Sequence, residues 1–176
     1  MKYKTILADP PWNQSLTGKW SKRQNRAVSL PYPTMTLDEI KKLPIGDLAE
    51  EDCHLWLWTT NQFLDEGFDV MRSWGFKYLC PIVWVKPSGL GNYFIHRTQT
   101  ILFGYKTKCI FPNSRYKPNI IFANAGKHST KPEESYSLIE SISSPNRLEL
   151  FSRNKRSGWD SWGNEIENDI EISPAV

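Results

Sequence analysis

The apolar run Tyr3 to Leu7 opens the chain, and Lys4 to Ala8 reads as a strand stopped by Asp9-Pro10-Pro11-Trp12. Residues 13 to 30 carry no hydrophobic period and read as an irregular segment. Thr36 with Glu39 three positions on is a capping box, so a helix runs from there to about Lys42 and ends before Pro44. His54 to Thr59 alternates and is rich in aromatics, the pattern of a buried strand that Asn61 closes. Leu64, Phe68, Val70, Met71 and Trp74 recur at near-helical spacing, and Gly75 is the stop residue. Tyr78 to Val85 reads as a strand, with Pro81 marking an edge or a bulge. Pro87 to Asn92 reads as a Gly/Pro/Ser loop. Further strands are expected at Gln99 to Tyr105 and Asn119 to Ala123, joined through the polar segment Lys106 to Pro118.

Past a loop at Asn124 to Thr130, Pro132 opens a helix at its first position. Glu133 and Glu134 then suit the positive end of the dipole, and Tyr136, Ile139 and Ile142 make the apolar face. Pro145-Asn146 turns the chain into a strand, Arg147 to Phe151. Ser152 to Glu165 reads as a loop, and residues 167 to 176 as a loose acidic tail behind a single domain at 1 to 166. Strands alternating with helices predict an α/β sandwich with a largely parallel sheet. In such sheets ligands gather at the C-terminal ends of the strands. Asp9, Thr59 to Asn61 and Arg153 all fall at such ends.

Composition sharpens this picture only in places. Eight tryptophans among 176 residues call for a large core, a stacking surface, or both. A net charge of +3 permits nucleic-acid binding without requiring it. No run approaches the roughly 18 apolar residues of a membrane span, and the N-terminus enters a strand rather than a signal peptide, so a cytoplasmic protein is expected. Cys53, Cys80 and Cys109 are isolated in sequence and read as reduced core thiols. His54, His96 and His128 lie far apart, and no metal is expected. There is no P-loop and no G-x-G-x-x-G motif, and Gly89-Leu90-Gly91 reads as a flexible loop.

The chemistry concentrates in three stretches. In Asp9-Pro10-Pro11-Trp12, a carboxylate and the carbonyls of a stiff loop can accept the hydrogens of an amino group on a flat ring. Such a nitrogen is a poor nucleophile because its lone pair is delocalised, and accepting its hydrogens favours the charge it develops on attack. Trp12 offers a ring on which a base can stack. This alone admits any planar amino group, cytosine N4 included. In the second stretch, His128 to Glu133, Lys131 adds a cation at a helix N-terminus and so invites an anion such as a cofactor carboxylate. In the third, Glu149 to Arg153 with Gly158 to Glu165, Asn164 and Glu165 can hold ribose hydroxyls, Arg153 can meet ribose or carboxylate oxygens, and Glu149 reads as structural.

Together, and in this order, these stretches resemble the adenine-N6 methyltransferase family of the messenger-RNA adenosine methyltransferase type. So do Pro31-Tyr32-Pro33-Thr34-Met35, Leu57-Trp58-Thr59 and Ile82-Val83-Trp84-Val85-Lys86. The short form of the chain is similar to the prokaryotic and phage branch. The resemblance implies a Rossmann-like class I S-adenosylmethionine-dependent methyltransferase fold in circularly permuted order, with the catalytic motif before the cofactor motif. Phe151-Ser152-Arg153 then stands in for the usual Gly-rich loop. It implies that Asp9, Pro10, Pro11 and Trp12 are catalytic. S-adenosylmethionine is held by Asp9, Lys131, Phe151, Arg153, Asn164 and Glu165, and Trp12 and Tyr32 receive the adenine. Gln99 stands where many relatives have Glu and can still hydrogen-bond the adenine, and Asn154-Lys155-Arg156 stands where the RNA enzyme has a His-Asn pair. The implied substrate is DNA, with RNA or a non-catalytic nucleic-acid-binding role as alternatives, in a bacterial or phage-infected cytoplasm. Lys22 and Arg23, in the basic loop Lys19 to Arg26, and also Arg115 and Lys117, are candidates for phosphate contacts. The chain has no added target-recognition domain, so its own loops, a partner subunit or a second copy must serve.

Overall fold

The computed structural model describes residues 2–13, 33–90, 93–112, 116–126 and 130–173. Seven strands form one sheet: β1 (Tyr3–Ala8), β2 (Ala49–Thr59), β3 (Lys77–Leu90), β4 (His96–Tyr105), β5 (Ile120–Phe122), β6 (Arg147–Leu150) and β7 (Trp159–Trp162). Their order is β5-β3-β4-β2-β1-β6-β7. Pairing is parallel except along both sides of β4, so the other strands all run one way and β4 runs against them. The expected largely parallel sheet is present.

Two helices, α1 (Leu37–Lys41) and α2 (Leu64–Ser73), belong to one face of this sheet, and α3 (Glu133–Ile142) to the other. The Thr36–Glu39 capping box forms as its spacing predicts. Gly75 follows α2 with a φ of 76°, the left-handed turn that glycine adopts without strain. The first core joins Ile6, Leu55, Leu57, Val70, Trp74 and Leu148, and the second joins Leu7, Trp56, Trp58, Ile101, Phe103 and Ile139. Alternate residues of β1 and β2 thus feed opposite faces, as a strand covered on both sides requires.

Several expectations change. Pro87 to Leu90 is strand rather than loop, because β3 and β4 continue as a hairpin to the pair Leu90–His96. The bulge foreseen at Pro81 is there as a register shift between Tyr78 and Cys80. Pro132 is the N-cap of α3, not its first turn. β7 lies inside the expected loop Ser152 to Glu165; four residues are too few to show a period. The tail is not loose through Ile172. Asp169 accepts from the Ser161 amide at 2.9 Å and pairs with Lys155, and Ile170 and Ile172 pack on the first core. Of the cysteines only Cys53 is fully buried.

His54 lies in the core with Nδ1 at 2.7 Å from the Ser143 hydroxyl, which also accepts from Trp56 Nε1 at 3.0 Å. A hydroxyl that accepts from the indole can donate to an unprotonated imidazole nitrogen, so the arrangement suits neutral His54. Burial lowers its pKa from the ordinary 6.5 to about 4. The folded form therefore resists protonation more than the unfolded chain does. The stability this confers is complete above the unfolded pKa and is lost as pH falls from there towards 4, at about 1.4 kcal/mol per unit. Urea denaturation at pH 7.5 and pH 5 is expected to show a loss of about 2 kcal/mol in the wild type. His54→Gln, less stable at the higher pH, is expected to lose less; an unchanged pH dependence in that variant removes His54 as the cause.

Candidate active site

Three neighbouring strands deliver the site. Ala8 pairs with Leu150, and Leu150 with Trp162, so β1, β6 and β7 end side by side. Asp9, Phe151 and Gly163 therefore leave the sheet together. The first loop is fastened from two sides. The Trp12 amide donates to the Pro10 carbonyl at 2.8 Å, and the Met35 amide to the Pro11 carbonyl at 3.0 Å. The second loop begins with Phe151 at a φ of 62°, an uncommon conformation for a bulky residue. The Ser152 amide, donating to the Trp162 carbonyl at 3.0 Å, and an edge-to-face contact of Phe151 with Trp162 at 5.4 Å hold it there. A Cβ at Gly163 would collide with the Ser152 carbonyl, so these two turns are closed against each other.

The Asp9 carboxylate is joined through Oδ2 to Lys131 Nζ. The lysine comes from just before α3, is mostly buried, and lies 5.3 Å from the centre of the Trp58 ring. The motif chemistry gives Asp9 the amino group and Lys131 a cofactor anion, and the family resemblance puts both at the cofactor. The fold pairs them, and it leaves the other Asp9 oxygen clear of the lysine. Lys86, at the end of the apolar stretch of β3, lies 4.6 Å from the Trp84 ring centre. Burial, with the positive charge of Lys131 second, lowers its pKa.

A polar layer lies behind the pair. The Tyr136 hydroxyl donates to Glu149 Oε1 at 2.7 Å. Burial raises the Glu149 pKa against the pull of that hydrogen bond, and the charge of Asp9 adds to the rise. Arg156 lies over the Tyr136 ring at 4.1 Å and is gripped by the carboxylate of Glu133, with Glu140 beside it. These hydrogen bonds and charges raise the guanidinium pKa despite partial burial. Trp159 Nε1 donates to Glu140 at 2.8 Å, which ties the layer to β7.

Two cavities of ≈ 270 Å³ and ≈ 240 Å³ adjoin here and share Asp9, Lys131, Phe151, Ser152 and Arg153. The larger is lined by Asp9, Pro10, Pro11, Trp12, Gln99, Lys131, Phe151, Arg153, Asn164 and Glu165. Every candidate residue that the structure describes, except the phosphate candidate Lys117, is therefore in one place. Lys117 lines a separate apolar cavity with Trp56 and Leu138. Tyr32, Lys22 and Arg23, together with Lys19, Arg26 and Arg115, lie outside the described residues.

Trp12 is packed into the wall of the larger cavity. Its ring stacks on Phe63 at 5.6 Å and 11°, its Nε1 donates to the Trp58 carbonyl at 3.3 Å, and the residue is 6% exposed. One ring face is thus taken by Phe63, and the residue borders the cavity. Thr60, at a strand end the sequence singles out, lines the larger cavity with Lys86 and Met35, to which the motifs assign no site role; Glu149 and Tyr136 line the smaller. A lysine closing an apolar strand, as Lys86 does, was the one available signal.

Comparisons with known proteins show the family. Residues 3–165 match the model of the MT-A70 family. The type II methyltransferase M.MunI of a Mycoplasma species is 32% identical over 97% of this chain and 81% of its own length. The human N(6)-adenosine-methyltransferase catalytic subunit METTL3 is 30% identical over 99% of this chain, which spans 30% of the relative. A probable N(6)-adenosine-methyltransferase of rice is 32% identical over 94% of this chain and 23% of its own. The chain thus spans less than a third of either of these two N(6)-adenosine-methyltransferase relatives. A match over nearly the whole described domain, with the Asp9 to Trp12 loop opening on a cavity at the strand ends, places the chain in the MT-A70 family of N6-adenine methyltransferases, which has the class I S-adenosylmethionine-dependent methyltransferase fold.

Proposed function

We propose that this chain methylates the N6 amino group of adenine in DNA, using S-adenosylmethionine, with the target group held by Asp9 and the Pro10 carbonyl. One observation carries the reading: a carboxylate on a stiff Pro-Pro turn lines a cavity that also holds an arginine, two lysines and an Asn-Glu pair. DNA is favoured because the chain spans 81% of a bacterial type II methyltransferase but less than a third of the two eukaryotic N(6)-adenosine enzymes compared. The setting inferred is the cytoplasm of a bacterial or phage-infected cell.

The residues suit S-adenosylmethionine. Lys131 and Arg153 are cations for a carboxylate, Asn164 and Glu165 stand exposed at the rim for ribose hydroxyls, and the Phe151 ring lines both cavities. The two adjoining cavities offer separate room for a cofactor and a base. When bound, the cofactor supplies a methyl group on a sulfonium. This chain orients the nitrogen that attacks it. With Lys131 on one oxygen of Asp9, the other is left to accept one N–H of the amino group. The Pro10 carbonyl already accepts from the Trp12 amide, and its second lone pair is available for the other N–H. Both acceptors strengthen as the nitrogen becomes cationic, so they favour the transition state over the ground state. The nitrogen loses its proton only after it has become cationic, and no strong base is needed before attack. In a duplex the adenine must first leave the stack.

Labelled-methyl incorporation into adenine-containing duplex DNA and the matching RNA tests the substrate; preference for RNA overturns the DNA assignment. Asp9→Ala is expected to lower kcat by roughly 10²- to 10³-fold; a folded variant with wild-type incorporation removes Asp9 from the chemistry. Lys131→Met strips the partner from a carboxylate that is only a third exposed. It is expected to lower kcat and to weaken cofactor binding, read by calorimetry, each by about tenfold or more. Cofactor affinity at the wild-type level removes Lys131 from the cofactor site.

A further inference from the structure

The sheet continues past the level of the site on one side only. β2 ends at Thr59, opposite Thr100, which in turn faces Val83. β4 reaches four residues further, to His96, which is about 13 Å of extended chain. This hairpin projects from the sheet edge that carries Asp9, because β3 runs parallel to β1. Lys86 and Gln99, at its base, line the larger cavity. Gly89 lies so close to the His96 carbonyl that a Cβ there would collide with it, so the bulged stem is closed tightly.

The end of the hairpin is apolar. Leu90, Tyr93, Phe94 and Ile95 are 89%, 78%, 79% and 68% exposed. Hairpin ends in water are ordinarily polar, and a cluster of exposed large side chains marks a surface that meets something. The charge around it selects the partner. From Val70 to Pro132 the chain has ten lysines and arginines and no aspartate or glutamate; the rest of the molecule has twelve against nineteen. That stretch supplies β3, β4 and β5, one whole side of the sheet. Among the described residues, Lys77, Lys86, Arg97 and Lys117 have no carboxylate partner. A second copy docking through the same surface would set cation against cation. A polyanion with flat apolar faces matches both features, since bases stack on aromatic rings and phosphates meet the cations.

We propose that the β3–β4 hairpin is a nucleic-acid arm, in which Tyr93 and Phe94 stack on bases near the target adenine while Arg97 on its stem meets a phosphate. This rests on the reading of the site as one that acts on adenine within a polynucleotide. The arm gives this domain a hold on its substrate beside the cavity that Lys86 and Gln99 line.

The test is a double variant, Tyr93→Ser with Phe94→Ser, compared with wild type on a fluorescent adenine-containing duplex and its single strand. Anisotropy is expected to show affinity for at least one of them falling by about tenfold or more. The salt slope should stay the same, because no charge is removed. Cofactor affinity should be unchanged and the KM for nucleic acid raised, with kcat at saturation near that of wild type. Unchanged affinity for both nucleic acids overturns the proposal. So does a wild-type dimer that the double variant converts to a monomer with its nucleic-acid affinity intact, an outcome that assigns the tip to a second copy. Failure of the underlying methyltransferase reading shows separately, as a wild type that incorporates no label, and anisotropy still decides the arm.

Discussion

Strand β1 has a parallel partner on each side, and both come from distant parts of the chain. Ala8 faces Leu57 on one side and Leu150 on the other. Parallel pairing cannot be made by a tight turn; the chain must cross over and return in the same direction. Here the last sixth of the chain returns beside its first strand. That return gives the Asp9 to Trp12 loop a neighbour. Without β6 and β7, Asp9 would end a strand next to water; with them, it meets Phe151, Arg153 and the turn at Gly163. The return is pinned at its start as well, where Asn146, at a φ of 72°, donates from its side chain to the Lys2 carbonyl at 2.6 Å.

Once the strand ends are aligned, the electrostatics of the site follow from what each loop carries. Lys131 is held between the Asp9 carboxylate and the Trp58 ring, a setting that is polar on one side and apolar on the other. Lys86 adds a second cation to the same cavity, and burial disfavours its charge. Glu149, behind them, is likewise pushed towards its neutral form. The site thus has a charged pair in front, with one carboxylate oxygen clear of the lysine, and a protonation-sensitive layer behind. That division suits a reaction whose target is neutral before attack and cationic just after it. The proton has to leave late, and the front carboxylate must stay available as an acceptor.

The same sheet separates two kinds of surface. The β1-β6-β7 side holds the loops that form the cavities. The β4-β3-β5 side has no acidic residue between Val70 and Pro132 and ends in an exposed aromatic hairpin beside the cavity. The cavities and the exposed hairpin therefore lie next to each other at one end of the sheet.

Local physics made much of this legible in advance. The capping box at Thr36, the glycine stop at Gly75, the amphipathic runs of α2 and α3 and the stiff Asp-Pro-Pro turn depend on neighbours within a few residues, so they can be read from the chain directly. The candidate residues could be named for the same reason: a carboxylate beside prolines, a cation before a helix and an Asn-Glu pair after a Trp-Gly turn each carry their chemistry with them. What the sequence could not determine is who meets whom. The Lys131–Asp9 pair spans 122 positions, Tyr136 meets Glu149 across an α3–β6 packing, and Trp12, in the cavity wall, stacks on Phe63. β7 was missed because four residues on the far edge of a sheet become a strand only when β6 is there to pair with them. These outcomes follow from strand order and register. Both are set by the simultaneous burial of two sheet faces, a property of the whole chain that no local stretch contains.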